Sequence, residues 1–279
     1  MPVHSGAPAA DRPTEPDGDP ALPTDDPEPA RPEAALDLDA LAARWADRAA
    51  LPAMSAEQMR GADVRAQRQG VQGIWLMEQA GTAVAAAALA LLETTGRRDH
   101  GLLLILAGPG NNGGDGLVAA RSLAEQGLGS VVVLVGSQPR PQTRDAARNW
   151  DRLDGRPLVQ RMHAATSRDV GILVNGLDRA ACIVDALLGT GVRGPLREPI
   201  GSAVELIRRG RAAGVPVLAV DTPTAVDLTS GEASDPVVRA DVTITFHRPK
   251  LGLNTRTGRA LAGRVLVAPI GIPAAADPA

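Results

Sequence analysis

The chain has 279 residues and 44% hydrophobic content, enough for one large α/β domain and a tail. Three Trp, one Phe and no Tyr leave a core of Ala, Val, Leu and Ile, and make base stacking on aromatic shelves nearly unavailable. The net charge of −3 is uneven: residues 1–35 hold eight Asp/Glu and two Arg, so the remainder lacks the strong basic excess of a nucleic-acid binder.

Residues 1–35 also carry nine of the 23 prolines. Such a segment buries too little apolar surface to offset chain entropy, so a disordered tail is expected. The single cysteine, Cys182, excludes an internal disulfide and lies in an apolar run, which points to a buried inert thiol. A charged-then-apolar signal peptide is not expected at the start of the sequence. The longest apolar run, 83–92, is too short to span a bilayer, and a cytoplasmic protein is expected.

The domain is expected over 36–273, with a short tail at 274–279. From residue 36 the pattern is helical, with Leu38, Leu41 and Trp45 on one face. A helix over 56–69 follows Ser55 as N-cap and closes at Gly70. The segment 73–81 leads into an alanine-rich helix over 82–93, where Ala80 and Gly81 permit close packing on a neighbour. A strand over 102–106, apolar throughout, suits burial on both faces. Next comes GPGNNGGDG at 108–116, and then helical spacing to Gly127. Glycines there permit positive φ and close approach to a ligand, and a helix N-terminus offers free N–H groups to an anion.

Further strands are expected at 131–135, 182–188, 215–220, 242–246 and 265–267, with a weaker candidate at 158–160. Helices are expected at 142–153 and 202–213. Alternating helices and buried strands indicate a doubly wound, mostly parallel sheet. In such sheets ligands bind beyond the carboxyl ends of the strands. Three strands end in polar loops, at 108–115, 185–195 and 221–227, the first two rich in glycine. If these strands run parallel, Asn112, Asp185 and Asp221 converge on one crevice.

Gly108, Gly110 and Gly113 also fit GxGxxG, so a nicotinamide dehydrogenase has to be weighed. That reading needs an acid at the end of the following strand to hold a ribose. The strand ends Val135-Gly136-Ser137-Gln138, and Asp115 would set a carboxylate where a pyrophosphate normally lies. The dehydrogenase reading fails.

The loop Asn111-Asn112-Gly113-Gly114-Asp115-Gly116 resembles the signature of the NAD(P)H-hydrate epimerase family, the YjeF N-terminal domain. The likeness extends over about 54–273. It includes 55–60 and 76–81, the stretch 184–196, the stretch 220–227, and Lys250-x-Gly252-Leu253 with Gly271-Ile-Pro273. The resemblance implies a Rossmann-like domain that interconverts the R and S forms of hydrated NADH or NADPH. By position, Asn111, Asn112, Gly113, Gly114 and Asp115 match the loop that contacts the hydrated cofactor. Gly189, Thr190, Gly191, Val192, Arg193, Gly194 and Pro195 match a second substrate loop. Asp221 matches the acid beside the reacting ring, and Asn112, Asp185 and Thr224 match a potassium (K+) site. Inversion at a carbon bearing a hydroxyl beside a ring nitrogen needs C–O cleavage and re-addition, which a carboxylate in a crevice can assist. Oxygen ligands suit a hard cation.

The chain departs from the family pattern at Thr224-Ala225, where Ser-Gly is usual. Thr keeps the hydroxyl, whereas Ala costs on the order of 1 kcal/mol if φ is positive there. The competing reading is a non-catalytic ligand-binding or scaffold module on the same fold. Expected partners are the small-molecule substrate, a second copy in a homodimer, and a separate NAD(P)H-hydrate dehydratase, because nothing after Pro273 would supply that domain. Nucleic acid and membranes are not expected partners. Two residues past strand ends stay open: His247 as a crevice or surface residue, and Lys250, the single lysine, as a phosphate contact.

Overall fold

The computed structural model describes residues 37–189 and 195–277. The tail expected at 1–35, and the loop residues Thr190, Gly191, Val192, Arg193 and Gly194, lie outside the described residues. Helices α1 (Leu38–Arg44), α2 (Ala46–Ala49), α3 (Ala56–Arg68) and α4 (Gly73–Thr95) precede the sheet. Then follow β1 (Leu103–Ala107), α5 (Asn111–Glu125), β2 (Ser130–Val135), α6 (Arg144–Arg152), β3 (Val159–Ala164) and α7 (Ser167–Ile172). The rest comprises β4 (Cys182–Ala186), α8 (Ile200–Ala212), β5 (Val217–Val220), β6 (Val242–Phe246), α9 (Arg256–Ala262) and β7 (Arg264–Ala268).

The seven strands form one sheet in the order β3-β2-β1-β4-β5-β6-β7, parallel throughout. The doubly wound α/β expectation holds. Side chains alternate between the two faces of the sheet. Leu103, Ile105 and Ala107 of β1 join the core under α1, α4 and α5, while Leu104 and Leu106 join the core under α8. Strand β1 is apolar without interruption because both faces are covered, and β4 is interrupted only by Asp185. Successive strands step outward from β1 in one direction and then, from β4, in the other. The carboxyl ends of β1 and β4 therefore flank the switch point, where such sheets bind ligands.

Several boundaries differ from the sequence reading. Residues 73–95 form one continuous helix, because Ala80 and Gly81 serve as a packing surface rather than a break. Its length and apolarity would suit a membrane span, but most of that surface is buried on the sheet and α5. Helices α7 and α9 escaped the apolar pattern, being six and seven residues long. Each rests on a threonine N-cap, Thr166 in a capping box with Asp169 and Thr255 on the Gly258 N–H. Residues 274–277, expected as tail, dock on the domain: Ala276 is buried and its carbonyl accepts from Arg65 Nε at 2.7 Å.

Two contacts set the position of α5, the helix that opens at the switch point. Glu78 of α4 and Arg121 of α5 form a buried pair, with Arg121 Nη2 at 2.5 and 2.6 Å from the two carboxylate oxygens. Removing either partner would strand a buried charge. Nearer the site, Gly81 abuts α5 so closely that a Cβ would lie 2.3 Å from Val118 Cβ and 2.7 Å from the Asp115 carbonyl. Gly81→Ala should therefore destabilise the protein by roughly 1–3 kcal/mol in urea unfolding, despite the better helix propensity of Ala. A neutral or stabilised variant would show that the two helices do not meet this closely.

Candidate active site

The 108–116 loop works by close packing rather than by unusual dihedrals. None of its glycines has positive φ. A Cβ on Gly108 would meet the Leu187 carbonyl oxygen at 1.8 Å, and one on Gly113 would meet the Gly108 oxygen at 1.9 Å. Gly108 N–H donates to the Ala186 carbonyl at 2.9 Å, tying the end of β1 to the end of β4. The expected turn is also shorter: Asn111 to Gly116 are already helical, as the first turns of α5. Asn111 is exposed. Gly113 is buried, and Gly114 faces Met77 of α4, where a Cβ would lie 2.6 Å from its terminal atoms.

Asn112 bends toward the second loop. A Cβ on Gly189 would lie 2.9 Å from Asn112 Oδ1, and Asn112 Nδ2 is a buried donor with no acceptor among the described residues. Asp185, inside β4, is fully buried. Its Oδ2 accepts the Thr224 N–H at 2.8 Å, and its Oδ1 accepts the Thr224 hydroxyl at 2.7 Å and the Leu187 N–H at 3.3 Å. The Thr224 hydroxyl in turn accepts the Leu188 N–H at 3.2 Å. Desolvation pushes the Asp185 carboxyl up to about 6 against these hydrogen bonds. No cationic side chain among the described residues pairs with it. Asp185, Thr224 Oγ1 and Asn112 Oδ1 thus border residues 187–189 as hard oxygen donors around an uncompensated carboxylate, which a monovalent cation would suit.

Asp221 follows β5 directly, in the left-handed region at φ 63°. Its N–H donates to the Ile244 carbonyl at 2.7 Å, and its Oδ1 accepts the Thr245 hydroxyl at 2.9 Å. Asp115, on the second turn of α5, is buried beside it. Burial first, then the Asp221 carboxylate, then Asp63 hold the Asp115 carboxyl well above the usual carboxylate range. The crevice therefore sets an acid inclined to keep its proton near a carboxylate held by a hydroxyl. Pro195 is exposed at the far side of the second loop. Asn112, Asp115, Asp185, Asp221 and Thr224 all lie at the carboxyl ends of β1, β4 and β5, as the parallel arrangement requires.

The structure decides two residues that the sequence left open. Lys250 is not a phosphate contact. It is fully buried, and its ammonium donates to Thr245 Oγ1, the Phe246 carbonyl and the Arg248 carbonyl at 2.9, 2.7 and 3.0 Å. His247 faces neither crevice nor solvent. It is buried, with Nε2 2.7 Å from Asp277 Oδ2, and burial lowers its pKa while Asp277 opposes that. Cys182 is buried as expected, and desolvation raises its thiol to about 12. Thr245 went unremarked in the sequence. Its signal was a hydroxyl at a buried position of an apolar strand, where a polar group must find a partner.

Ala225 has φ 78°, so the substitution of the usual glycine falls where it costs most. Ala225→Gly should raise unfolding free energy by roughly 0.5–1 kcal/mol, read as a higher urea midpoint at unchanged slope. A lower midpoint would show that this turn does not need the left-handed conformation.

Comparison with known proteins agrees with this geometry. Residues 74–252 match the family model described as YjeF-related protein N-terminus. The chain is 37% identical over 224 residues to the NAD(P)H-hydrate epimerase of Cenarchaeum symbiosum, covering 80% of this chain and 97% of that protein. It is 40% identical over 225 residues to the bifunctional NAD(P)H-hydrate repair enzyme Nnr of Methanothermobacter thermautotrophicus, but spans only 41% of that longer protein. The crystal structure of yeast ynu0 superposes with a TM-score of 0.64 at 29% identity, covering 72% of this chain and 83% of that one. With its sheet order, its site loops and these relatives in agreement, the chain belongs to the YjeF-related N-terminal domain family.

Proposed function

We propose that the protein is an isomerase that epimerises the R and S forms of hydrated NADH and NADPH. The observation that carries this reading is the convergence of Asp115, Asp185 and Asp221 at adjacent strand ends, in a chain whose full-length relatives are named epimerases. In the reaction, the lone pair of the ring nitrogen expels the neighbouring hydroxyl as water, and the C–O bond breaks with uptake of one proton. Water then adds to the opposite face of the resulting iminium carbon and gives up one proton. Asp221 would hold and return that proton; in support of this, its Oδ1 is engaged by Thr245 while Oδ2 takes no hydrogen bond from the described residues.

A potassium ion held by Asn112, Asp185 and Thr224 belongs to the same reading. It would neutralise the buried Asp185 carboxylate and fix the loops that border the substrate. The substrate loop from Gly189 to Pro195, a homodimeric assembly, a cytoplasmic location, and a separate dehydratase that consumes the S form complete the proposal.

Purified protein mixed with R-NADHX and an S-specific dehydratase should consume the R form much faster than the dehydratase alone. Asp221→Asn should lower that turnover by roughly 10²-fold or more in a protein that still folds cooperatively. A folded wild type without any acceleration would instead favour the non-catalytic scaffold. For the cation, the melting temperature should be higher in potassium chloride than in choline chloride of equal ionic strength, because an ion that binds only the folded state stabilises it. Asp185→Asn should abolish the difference. Equal melting temperatures in the two salts would remove the ion from the proposal.

A further inference from the structure

We propose that Lys250 and Thr245 form a buried positioning relay that holds Asp221 Oδ1 and thereby aims its other oxygen at the reacting ring. The inference deepens the epimerase reading and rests on it for its catalytic consequence, but its physical core is independent of any substrate.

The geometry is a chain of donors and acceptors. Lys250 Nζ donates to Thr245 Oγ1 at 2.9 Å, and Thr245 Oγ1 donates to Asp221 Oδ1 at 2.9 Å. The ammonium spends its other two protons on the Phe246 and Arg248 carbonyls, so all three are committed. Nζ also lies 3.7 Å from Asp221 Oδ1, close enough for direct attraction. Because the Thr245 hydroxyl must accept from Lys250, its own proton can point only toward Asp221. That fixes the polarity of the chain. The backbone supports it from both ends: the Asp221 N–H is bonded to β6, and Lys250 is bridged to Met54 through Met54 N–H to the Pro249 carbonyl and Leu251 N–H to the Met54 carbonyl.

A fully buried ammonium is costly unless paired and hydrogen-bonded. The other charged groups around the relay are Asp115 on α5, which faces Asp221, and His247, whose imidazole feels the ammonium. Desolvation lowers the Lys250 pKa, and Asp221 opposes that lowering through its charge and hydrogen bonding. A structural role alone would need only the carbonyl acceptors. The hydroxyl linkage to a strained carboxylate in the crevice is what marks a positioning function.

The chain contains a single lysine, so 15N-labelled lysine gives one Nζ signal to follow. In free protein, Asp221→Asn should move the titration of that signal to lower pH by about one pH unit or more, with a smaller response to Asp115→Asn. In the coupled assay, Thr245→Val should lower kcat by roughly 10- to 100-fold with little change in KM, as expected for a misaimed group. Thr245→Ser, which keeps the hydroxyl, should restore kcat. Lys250→Met should resemble Thr245→Val if it folds, and the Thr245 pair carries the test if it does not. A Lys250 signal indifferent to Asp221→Asn, or wild-type kcat in Thr245→Val, would overturn the relay. Inactive wild-type protein would sink the epimerase reading separately, leaving the Nζ titration to decide whether the ammonium and carboxylate are coupled.

Discussion

The site depends on a backbone contact between the ends of β1 and β4. Gly108 presses against the Leu187 carbonyl, and Gly113 turns the first coil of α5 back over Gly108, at separations no side chain would permit. This contact closes the switch point of the sheet and sets Asn112 against Gly189. It also brings Gly116 of α5 against Ala186 of β4, where a Cβ would lie 2.7 Å from the Ala186 side chain. The glycines of the signature loop thus act through the absence of Cβ atoms at a crowded junction, and with the Glu78–Arg121 pair and the Gly81 contact they position the helix that bears Asp115.

Around that junction the protein manages buried charge with few resources. Its interior is aliphatic, and water is kept from several ionisable groups. Each group meets the cost of desolvation differently. Glu78 and Arg121 pair directly between two helices. Lys250 saturates its three protons with oxygen acceptors. Asp185 receives three hydrogen bonds but no cation from the described residues, and Asp115 is pushed toward its protonated form by burial first and then by the Asp221 carboxylate. The two least compensated groups, Asp115 and Asp185, both border the crevice. Uncompensated burial concentrates where a ligand or ion would complete the balance.

Backbone strain gathers past the ends of β5 and β6. Among the described residues, Asp221 and His247 take positive φ directly after these strands, and Ala225 does so five residues past β5. Such conformations persist where surrounding contacts over-determine them. Asp221 is held by the Ile244 carbonyl and Thr245, while His247 is held by the Ala268 carbonyl and Asp277. The docking of residues 274–277 therefore supports the same edge of the site that the Lys250 relay braces from inside.

The sequence by itself determined the α/β class, the buried strands and the loops that would face a ligand, because each rests on local pattern. Apolar runs read as β1, β4 and β6, Ser55 read as a cap, and the glycine-rich loop stood out by composition. Short α7 and α9 were illegible for the same reason: six or seven residues carry too little periodicity. Only the tertiary structure decided what the buried polar residues do. Lys250 follows β6 as an ordinary basic residue in sequence, and nothing local distinguishes a phosphate contact from an ammonium sealed against Thr245. The close packing of the loop glycines and the placement of His247 likewise turned on neighbours distant in sequence, Leu187 and Asp277. A side chain's chemistry is local, but its partner is chosen by the packing of the whole sheet.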